Sequence, residues 1–297
     1  ELAMKRRSPN TLTASQQNRR AFTLIELMVA IVIILILLGL LIPAIGAVRL
    51  RAQQSQVRAE ITSLEAAITS FKTDFGIDPP SYIKLYEDSG ATWDQHSKSL
   101  ITKMWPQFVF GANRDINNDG DTTDVFTLNA GECMVFFLGG VFESTGKAPN
   151  GFSKNPANPF SIASGGTNRQ GPYFEFDTSR FTDIDGDNAA EYKDAFPSQQ
   201  LPYLYLSSYG GRGYRTSELP SIPALGVNVT NVYHQGTPGA TLGPAYKPKS
   251  FQIISPGADS RYGTGGNYDP DKNFPSTPTD RTVEADNITN FVGGSLK

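Results

Sequence analysis

Two successive patterns of apolar residues dominate the first quarter of the chain. Residues 22–48 form an almost unbroken apolar run of about 27 residues, which is longer than the roughly 20 residues that a helix needs to cross a bilayer. Residues 49–75 then alternate apolar and polar positions with the three- and four-residue spacing of an amphipathic helix. The apolar positions of this second segment include Leu50, Val57, Ile61, Leu64, Ile68 and Phe71.

Glycine and proline mark the end of this pattern. Gly76 and the pair Pro79-Pro80 follow the last periodic residue, and both residue types stop helices. We therefore predict one helix from about Phe22 to about Phe75, with a transmembrane first part (residues 22–48) and an amphipathic continuation (residues 49–75).

Basic residues are distributed unevenly around the apolar run. Arg49 and Arg51 follow it, whereas five basic residues precede it: Lys5, Arg6, Arg7, Arg19 and Arg20. This asymmetry favours a cytoplasmic N-terminus and an exported C-terminal part. A cleaved secretory signal peptide is excluded as the explanation because its apolar region is only about 7 to 15 residues long. An ordinary single-pass anchor remains the plain alternative.

One acidic residue distinguishes this segment from an ordinary anchor. Glu26 lies within the first turns of the apolar run, where an ionised carboxylate costs about 2.5 to 3.5 kcal/mol on insertion scales. A charge in that position requires a cationic partner, and the apolar run itself offers none. The pattern therefore indicates a helix that meets another charged group inside the membrane.

The residues around Glu26 resemble a known processing site. The segment Ala21-Phe22-Thr23-Leu24-Ile25-Glu26-Leu27, which follows Arg19-Arg20, is similar to the leader of type IV prepilins and type II secretion pseudopilins. The resemblance implies that residues 1–21 are a leader peptide, that a prepilin peptidase cuts between Ala21 and Phe22, and that the new amino group is methylated. The family usually has glycine before the cut, where this chain has alanine.

The same resemblance implies how subunits assemble. Glu26 becomes the fifth residue of the mature chain, and its carboxylate is expected to neutralise the amino terminus of Phe22 in a neighbouring subunit. Such a buried pair sets the register between helices more than it adds stability. Pro43 is expected to kink or locally melt the helix, because proline lacks a backbone N–H donor.

The remaining residues, 77–297, predict a head of short strands joined by long loops, because Gly, Pro, Asn, Asp and Ser are frequent. Residues 125–142 could also form a helix that ends at Gly139-Gly140. The fold class is therefore α+β, and the resemblance implies a pilin fold in which the long helix packs on a small antiparallel sheet. Candidate strands or short buried helices are Met104–Phe110, Cys133–Leu138, Tyr173–Phe176, Tyr203–Ser207 and Phe251–Ser255.

The C-terminal segments resemble the major pseudopilin of type II secretion. The stretch that starts at Phe251 contains Ser-Pro-Gly-Ala-Asp-Ser, and Ala285-Asp-Asn-Ile-Thr-Asn-Phe follows after an insertion at residues 267–284. In that family the loop binds calcium. The resemblance implies a site whose oxygen ligands suit calcium and come from Pro256, Asp259, Ser260 and Asp286.

Two further loops carry alternating acidic residues and a glycine. This spacing is that of oxygen ligands in the first half of an EF-hand loop, but the bidentate acid of the twelfth position is missing, because Phe126 stands there. Asn/Asp-Gly turns exposed to solvent explain the same pattern, so both interpretations remain open. The candidate ligands are Asp115, Asn117, Asp119 and Asp121 in the first loop, and Asp183, Asp185 and Asp187 in the second.

Composition argues against several other classes of function. The net charge of −3 gives no reason to expect nucleic acid binding, the single cysteine, Cys133, excludes an intramolecular disulfide, and only two histidines are present. No common catalytic motif occurs, so we do not expect an enzyme. Tyr203, Tyr205, Tyr209 and Tyr214 could line a binding surface, but strand packing explains them better.

The most consistent function is therefore a structural subunit of a type II secretion pseudopilus that helps to export folded proteins. A type IV pilin or minor pilin of a surface filament, used in adhesion, motility or DNA uptake, shares the leader and helix. A membrane-tethered enzyme or binding domain is a third class. The expected location is the bacterial inner membrane, with the head periplasmic or extracellular. Expected partners are identical subunits, other pseudopilins, the prepilin peptidase and the inner-membrane secretion platform.

Overall fold

A computed structural model describes residues 23–142, 148–162, 168–222 and 225–296. The chain divides into two compact units, residues 1–50 and residues 51–297. Helix α1 (Leu24–Phe75) begins in the first unit and ends in the second. The prediction of one long helix is therefore confirmed over the described residues, and Phe22 lies outside them.

The first unit consists, in its described part, of the apolar half of α1. Its large apolar side chains from Leu24 to Val48 are exposed, so this segment has no core of its own. It is the one described helix that is long and apolar enough to cross a membrane. The helix continues without interruption through residue 43, so the local melting expected at Pro43 is not observed.

The second unit packs around the amphipathic half of α1. Seven residues of one helix face are buried in its main apolar cluster, which confirms the predicted periodicity from Val57 onwards, whereas Leu50, which the pattern also placed on this face, is exposed. Apolar side chains on one face must be covered by the rest of the head, because their burial stabilises the fold by about 25 cal/mol per Å². The buried residues of this face are Val57, Ile61, Leu64, Ala67, Ile68, Phe71 and Phe75.

Polar contacts supplement this packing. Glu60, one turn before Leu64, accepts hydrogen bonds from the Tyr203 hydroxyl (2.7 Å) and from Nη1 of Arg180 (2.9 Å). Tyr205 is also buried and donates to the Pro79 carbonyl oxygen (2.7 Å). Both tyrosines therefore serve packing and hydrogen bonding, as their strand positions suggested.

Two shorter helices belong to the head, α2 (Gln95–Met104) and α3 (Ala130–Gly139). Asn129 caps the N-terminus of α3 with its side chain. The Glu132 carboxylate in turn accepts a hydrogen bond from the backbone N–H of Asn129 (2.6 Å), which completes a capping box. The whole of α3, including Cys133, is buried, because apolar residues occupy all sides of it. The helix predicted over residues 125–142 was too long, since its first residues form a strand.

The head contains thirteen short described strands. They are β1 (Ile83–Tyr86), β2 (Val125–Leu128), β3 (Phe152–Ser153), β4 (Arg169–Gln170), β5 (Phe181–Thr182), β6 (Glu191–Tyr192), β7 (Leu204–Ser207), β8 (Ser221–Ile222), β9 (Val227–Asn228), β10 (Tyr233–Gln235), β11 (Phe251–Ser255), β12 (Gly266–Tyr268) and β13 (Ile288–Thr289).

These strands form small sheets. The largest has the order β13-β11-β7 and is antiparallel, with Ile253 opposite Tyr205. Four further pairs are antiparallel two-stranded sheets, and β10 pairs with β12 in parallel. The small antiparallel sheet of the expected α+β fold is confirmed, with the β10 and β12 pair as its exception.

The strand predictions had mixed outcomes. Tyr203–Ser207 and Phe251–Ser255 correspond to β7 and β11, and Cys133–Leu138 takes the helical alternative within α3. Met104–Phe110 and Tyr173–Phe176 are not strands. Met104 ends α2, and the remaining residues of both segments are irregular but rich in aromatic side chains that pack on the core, because burial of aromatic rings does not require a strand.

Candidate functional sites: the apolar helix and the acidic loops

The first candidate site is the start of α1. Glu26 is the acidic residue of its first turn. Its Oε2 accepts hydrogen bonds from the backbone N–H and the hydroxyl of Thr23, both at 2.9 Å, and its own N–H donates to the Thr23 hydroxyl oxygen (3.2 Å). This reciprocal bonding satisfies donors at the helix N-terminus and fixes the carboxylate beside Thr23. Ala21 and Phe22 themselves lie outside the described residues.

The second candidate site joins two segments that are distant in sequence. The loop after β11 contains Gly257, Asp259 and Ser260, and Asp286 lies shortly before β13. Oδ2 of Asp286 accepts the backbone N–H groups of Ala258 (2.6 Å) and Asp259 (3.1 Å). The two segments named from the sequence therefore adjoin, with two carboxylates at one loop.

The backbone at Gly257 allows the Asp286 carboxylate to approach this loop closely. Gly257 has φ +69, and a Cβ placed on it would lie 2.5 Å from Cγ of Asp286, so only glycine admits the Asp286 carboxylate. The Pro256 carbonyl oxygen accepts the Arg261 N–H (3.2 Å). Partial burial raises the pKa of Asp259 to about 6, and the neighbouring charge of Asp286 adds to this effect. A cation between the two carboxylates would relieve that repulsion.

The loop between residues 115 and 124 has its own hydrogen-bond pattern. Asp115 Oδ2 accepts the Gly120 N–H (3.0 Å), Asn117 Oδ1 accepts the Asp119 N–H (3.0 Å), and Asp119 Oδ1 accepts the Asp121 N–H (2.9 Å). The predicted ligands thus curl into one compact loop. One carboxylate oxygen each from Glu87, Asp121 and Asp124 lie within 4.8 Å of one another.

The loop between β5 and β6 gathers the second group of aspartates. Asp183 accepts the N–H groups of Gly186 (2.7 Å) and Asn188 (3.0 Å), and one oxygen each from Asp183, Asp185 and Asp187 lie within 4.8 Å of one another. The three predicted residues are therefore neighbours. All three are exposed, which is also how a solvated turn presents them.

Two buried glutamates adjoin this second loop. Glu132 of α3 and Glu191 of β6 are each 1% exposed, and an oxygen from each lies within 4.8 Å of one from Asp185. Burial, with a smaller contribution from the charges of the surrounding aspartates, raises the pKa of Glu132 to about 9 and that of Glu191 to about 8. Negative charge in this region is therefore costly.

Sequence reasoning missed Glu87, Asp124 and Glu132 as neighbours of these loops. Glu132 lies in an otherwise apolar helix. The sequence feature that could have identified it is its position three residues after Asn129, which is the spacing of a capping box. Glu87 had a clearer signal, because Ile83 and Leu85 precede it at every second position. That spacing places it on the buried face of its strand.

The fold and the N-terminal segment together define a class of protein. One exposed apolar helix that could cross a membrane precedes an α+β head, and a glutamate stands in its first turn. This is a pilin-like protein with a single membrane anchor. The sequence signature of the prokaryotic N-terminal methylation motif matches residues 16–42, which include the proposed cleavage site and Glu26.

Comparison with characterised proteins gives the particular family. The chain is 31% identical over 139 residues to the type II secretion system core protein G of Pectobacterium carotovorum subsp. carotovorum, covering 44% of this chain and 81% of that protein. It is 34% identical over 88 residues to the protein of the same name from Klebsiella michiganensis, covering 30% of this chain and 54% of that protein. No solved structure matches it. The chain belongs to the type II secretion system core protein G family.

Proposed function

We propose that this protein is a structural subunit of a type II secretion pseudopilus, which assembles through α1 and helps to export folded proteins. The observation that carries the proposal is the exposed apolar half of α1 with Glu26 in its first turn. Apolar surface of this extent is covered either by lipid or by equivalent helices. Glu26 favours a helical partner, because a lipid chain offers no charge to its carboxylate.

In the assembled filament, we expect helices of neighbouring subunits to lie side by side. The Glu26 carboxylate of one subunit then pairs with the amino terminus of Phe22 in another. Loss of either member leaves the other charge buried and unpaired, so the pair selects one register between subunits. The expected partners are identical subunits, other pseudopilins and the inner-membrane platform of the secretion system.

Orientation follows from the flanking charges. The five basic residues before the apolar run hold the N-terminus in the cytoplasm, so the head lies on the other side of the inner membrane. Electron microscopy of purified appendages from the native host tests the assembly. A short periplasmic filament that contains this chain is the expected result, and a long surface fibre made of it would contradict a secretion pseudopilus.

Leader cleavage is the first testable step. Co-expression with a prepilin peptidase is expected to remove residues 1–21, so that mass spectrometry finds Phe22 as a methylated N-terminal residue. The control is Ala21→Gly, which introduces the residue that the family usually has before the cut, and it should be cleaved at least as completely. An intact leader on protein within assembled filaments would contradict this cleavage site.

We further propose that calcium binds at the loop formed by Pro256, Asp259 and Ser260 together with Asp286. The residues fit the ion, because two carboxylates, a carbonyl and a hydroxyl are hard oxygen ligands. The close approach of Asp286 to Gly257 keeps the two segments together. Bound calcium would fix the C-terminal segment against the β11 loop.

Thermal unfolding of the full chain in detergent tests this site. Calcium at about 100 times its dissociation constant adds about 2.7 kcal/mol of stability, which corresponds to a rise in Tm of about 5 to 10 °C for a domain of this size. Asp286→Asn is expected to remove the part of the rise that this loop contributes. The matched control is Asp271→Asn, at an exposed aspartate in another loop, and an equal loss in both variants would contradict the assignment.

A further inference from the structure

Glu87 lies at a position where the alternation of buried residues along β1 predicts an apolar side chain. It directly follows β1, in which Ile83 and Leu85 are buried, and it is itself 0% exposed. Its backbone N–H donates to the Asp124 carbonyl oxygen (3.1 Å). This bond extends the ladder in which Leu85 lies opposite Phe126. Glu87 and Asp124 therefore face each other across two strands, where like charges repel.

The carboxylate of Glu87 has only half of its bonding satisfied. Oε1 accepts the backbone N–H of Ile116 (2.5 Å), whereas Oε2 is buried and has no hydrogen-bond partner in the described part of the chain. Oδ1 of Asp115 is buried and unpartnered in the same sense. A buried carboxylate oxygen without a partner is strongly unfavourable unless a cation or a donor reaches it.

The neighbouring cation, Arg114, does not pair with the unpartnered oxygen of Glu87. Arg114 is buried, but its guanidinium donates to the carbonyl oxygens of Tyr86 (3.3 Å) and Val109 and lies 4.3 Å from the ring centre of Phe108. Among the described residues it makes no ion pair with Glu87 within 4.0 Å. Glu87 and residues 115–124 together carry five carboxylates, those of Glu87, Asp115, Asp119, Asp121 and Asp124.

The loop and Glu87 point their oxygens at a common volume. Oxygens of Glu87, Asp121 and Asp124 lie within 4.8 Å of one another, which is the separation expected of ligands that share one ion with bonds of about 2.3 to 2.6 Å. Burial raises the pKa of Glu87, and the charges of Asp115 and Asp124 contribute.

We propose that Glu87 and loop 115–124 form a calcium site in which Glu87 supplies the acid that the loop lacks. In an EF-hand loop the twelfth residue provides that acid, and here Phe126 takes the position and pairs with Leu85 instead. The proposed ligands are the carboxylates of Glu87, Asp121 and Asp124, and water molecules would complete the roughly six to eight oxygens that calcium takes. Calcium suits the site better than magnesium, which prefers to keep several waters.

Such a site would link the end of β1 to the start of β2. It lies in a different part of the chain from the Asp259 and Asp286 loop, and its residues come from a segment that the matched methylation motif does not cover. Bound calcium would hold the residue that follows β1 against the residue that precedes β2, and would thereby reinforce this strand pair.

Titration calorimetry with calcium tests the proposal in the full chain in detergent. All variants carry Asp286→Asn, so that the C-terminal loop does not contribute. In this background the parent protein is expected to bind calcium, and Glu87→Gln and Asp121→Asn are expected to weaken one binding event by at least about tenfold, since even indirect contacts to a metal are worth 10- to 100-fold. Asp271→Asn is the matched control and should bind like the parent.

Thermal unfolding separates a ligand role from a purely structural one. When a chelator removes calcium, the Glu87→Gln variant is expected to unfold at the same temperature as the parent or at a higher one, because the amide removes a buried charge. In calcium it is expected to unfold at a lower temperature than the parent. Unchanged calcium binding in Glu87→Gln and Asp121→Asn would overturn the proposal, and so would a Glu87→Gln variant that is equally destabilised with and without calcium.

Discussion

Replacing Glu26 with alanine is expected to abolish filament assembly while leaving leader cleavage intact. The reason is that the carboxylate is not part of the scissile segment, but without it the amino terminus of a neighbouring subunit has no counter-charge inside the apolar layer. Assembly is measured by electron microscopy and by sedimentation of sheared filaments, and cleavage is measured by mass spectrometry of the same cells.

Glu26→Gln distinguishes two explanations of this effect. The amide can still accept the hydrogen bonds that Thr23 donates, but it carries no charge. If charge neutralisation drives assembly, the glutamine variant fails as the alanine variant does. Filaments of normal number and length from either variant would contradict the charge-pairing mechanism, whereas recovery in glutamine alone would assign the effect to the helix cap.

Phe71→Ala is expected to destabilise the head by about 3 to 5 kcal/mol, the usual cost of removing a fully buried phenylalanine. Phe71 is 0% exposed, and its ring centre lies 4.4 Å from that of Phe75, 5.8 Å from that of Phe137 and 5.6 Å from that of Tyr173. The substitution therefore leaves a cavity between α1, α3 and an irregular segment, which these neighbours can fill only in part.

Guanidinium unfolding of the full chain in detergent measures this loss. Thr73→Ala is the matched control, because Thr73 is an exposed residue of the same helix and surface substitutions change stability by less than about 0.5 kcal/mol. A loss below about 1 kcal/mol in Phe71→Ala would show that the head does not depend on the amphipathic half of α1. The two halves of the helix would then have to be assigned different roles from those proposed above.

The acidic loops show how far local sequence patterns extend. Alternating aspartates and a glycine correctly brought Asp115 and Asp119 into one loop, because Asx hydrogen bonds act over two to five residues. The pattern gave no indication of Glu87, which is 28 residues earlier than Asp115 by number and reaches the loop only through strand pairing. Similarly, Asp286 was associated with Asp259 from a family resemblance and not from any local rule.

The aromatic segments illustrate the opposite failure. Tyr173–Phe176 has the composition of a strand but lies in an irregular segment whose rings pack on the core. Strand propensity largely reports the fit of a side chain to a half-buried surface, and a loop that is tied down by its aromatic side chains offers the same environment. Local composition therefore predicted burial correctly and backbone conformation wrongly.

The sequence by itself determined the long helix, its apolar and amphipathic halves, the site for processing and the separate head, because a continuous apolar run and a helical period are properties of neighbouring residues. Only the tertiary structure decided which acidic residues meet. Glu87 faces Asp124, and Glu132 approaches Asp185 and Glu191, because strand pairing and helix packing join distant segments. The burial of Glu87, Glu132 and Glu191, which makes an unpaired charge on them costly, depends on the whole head.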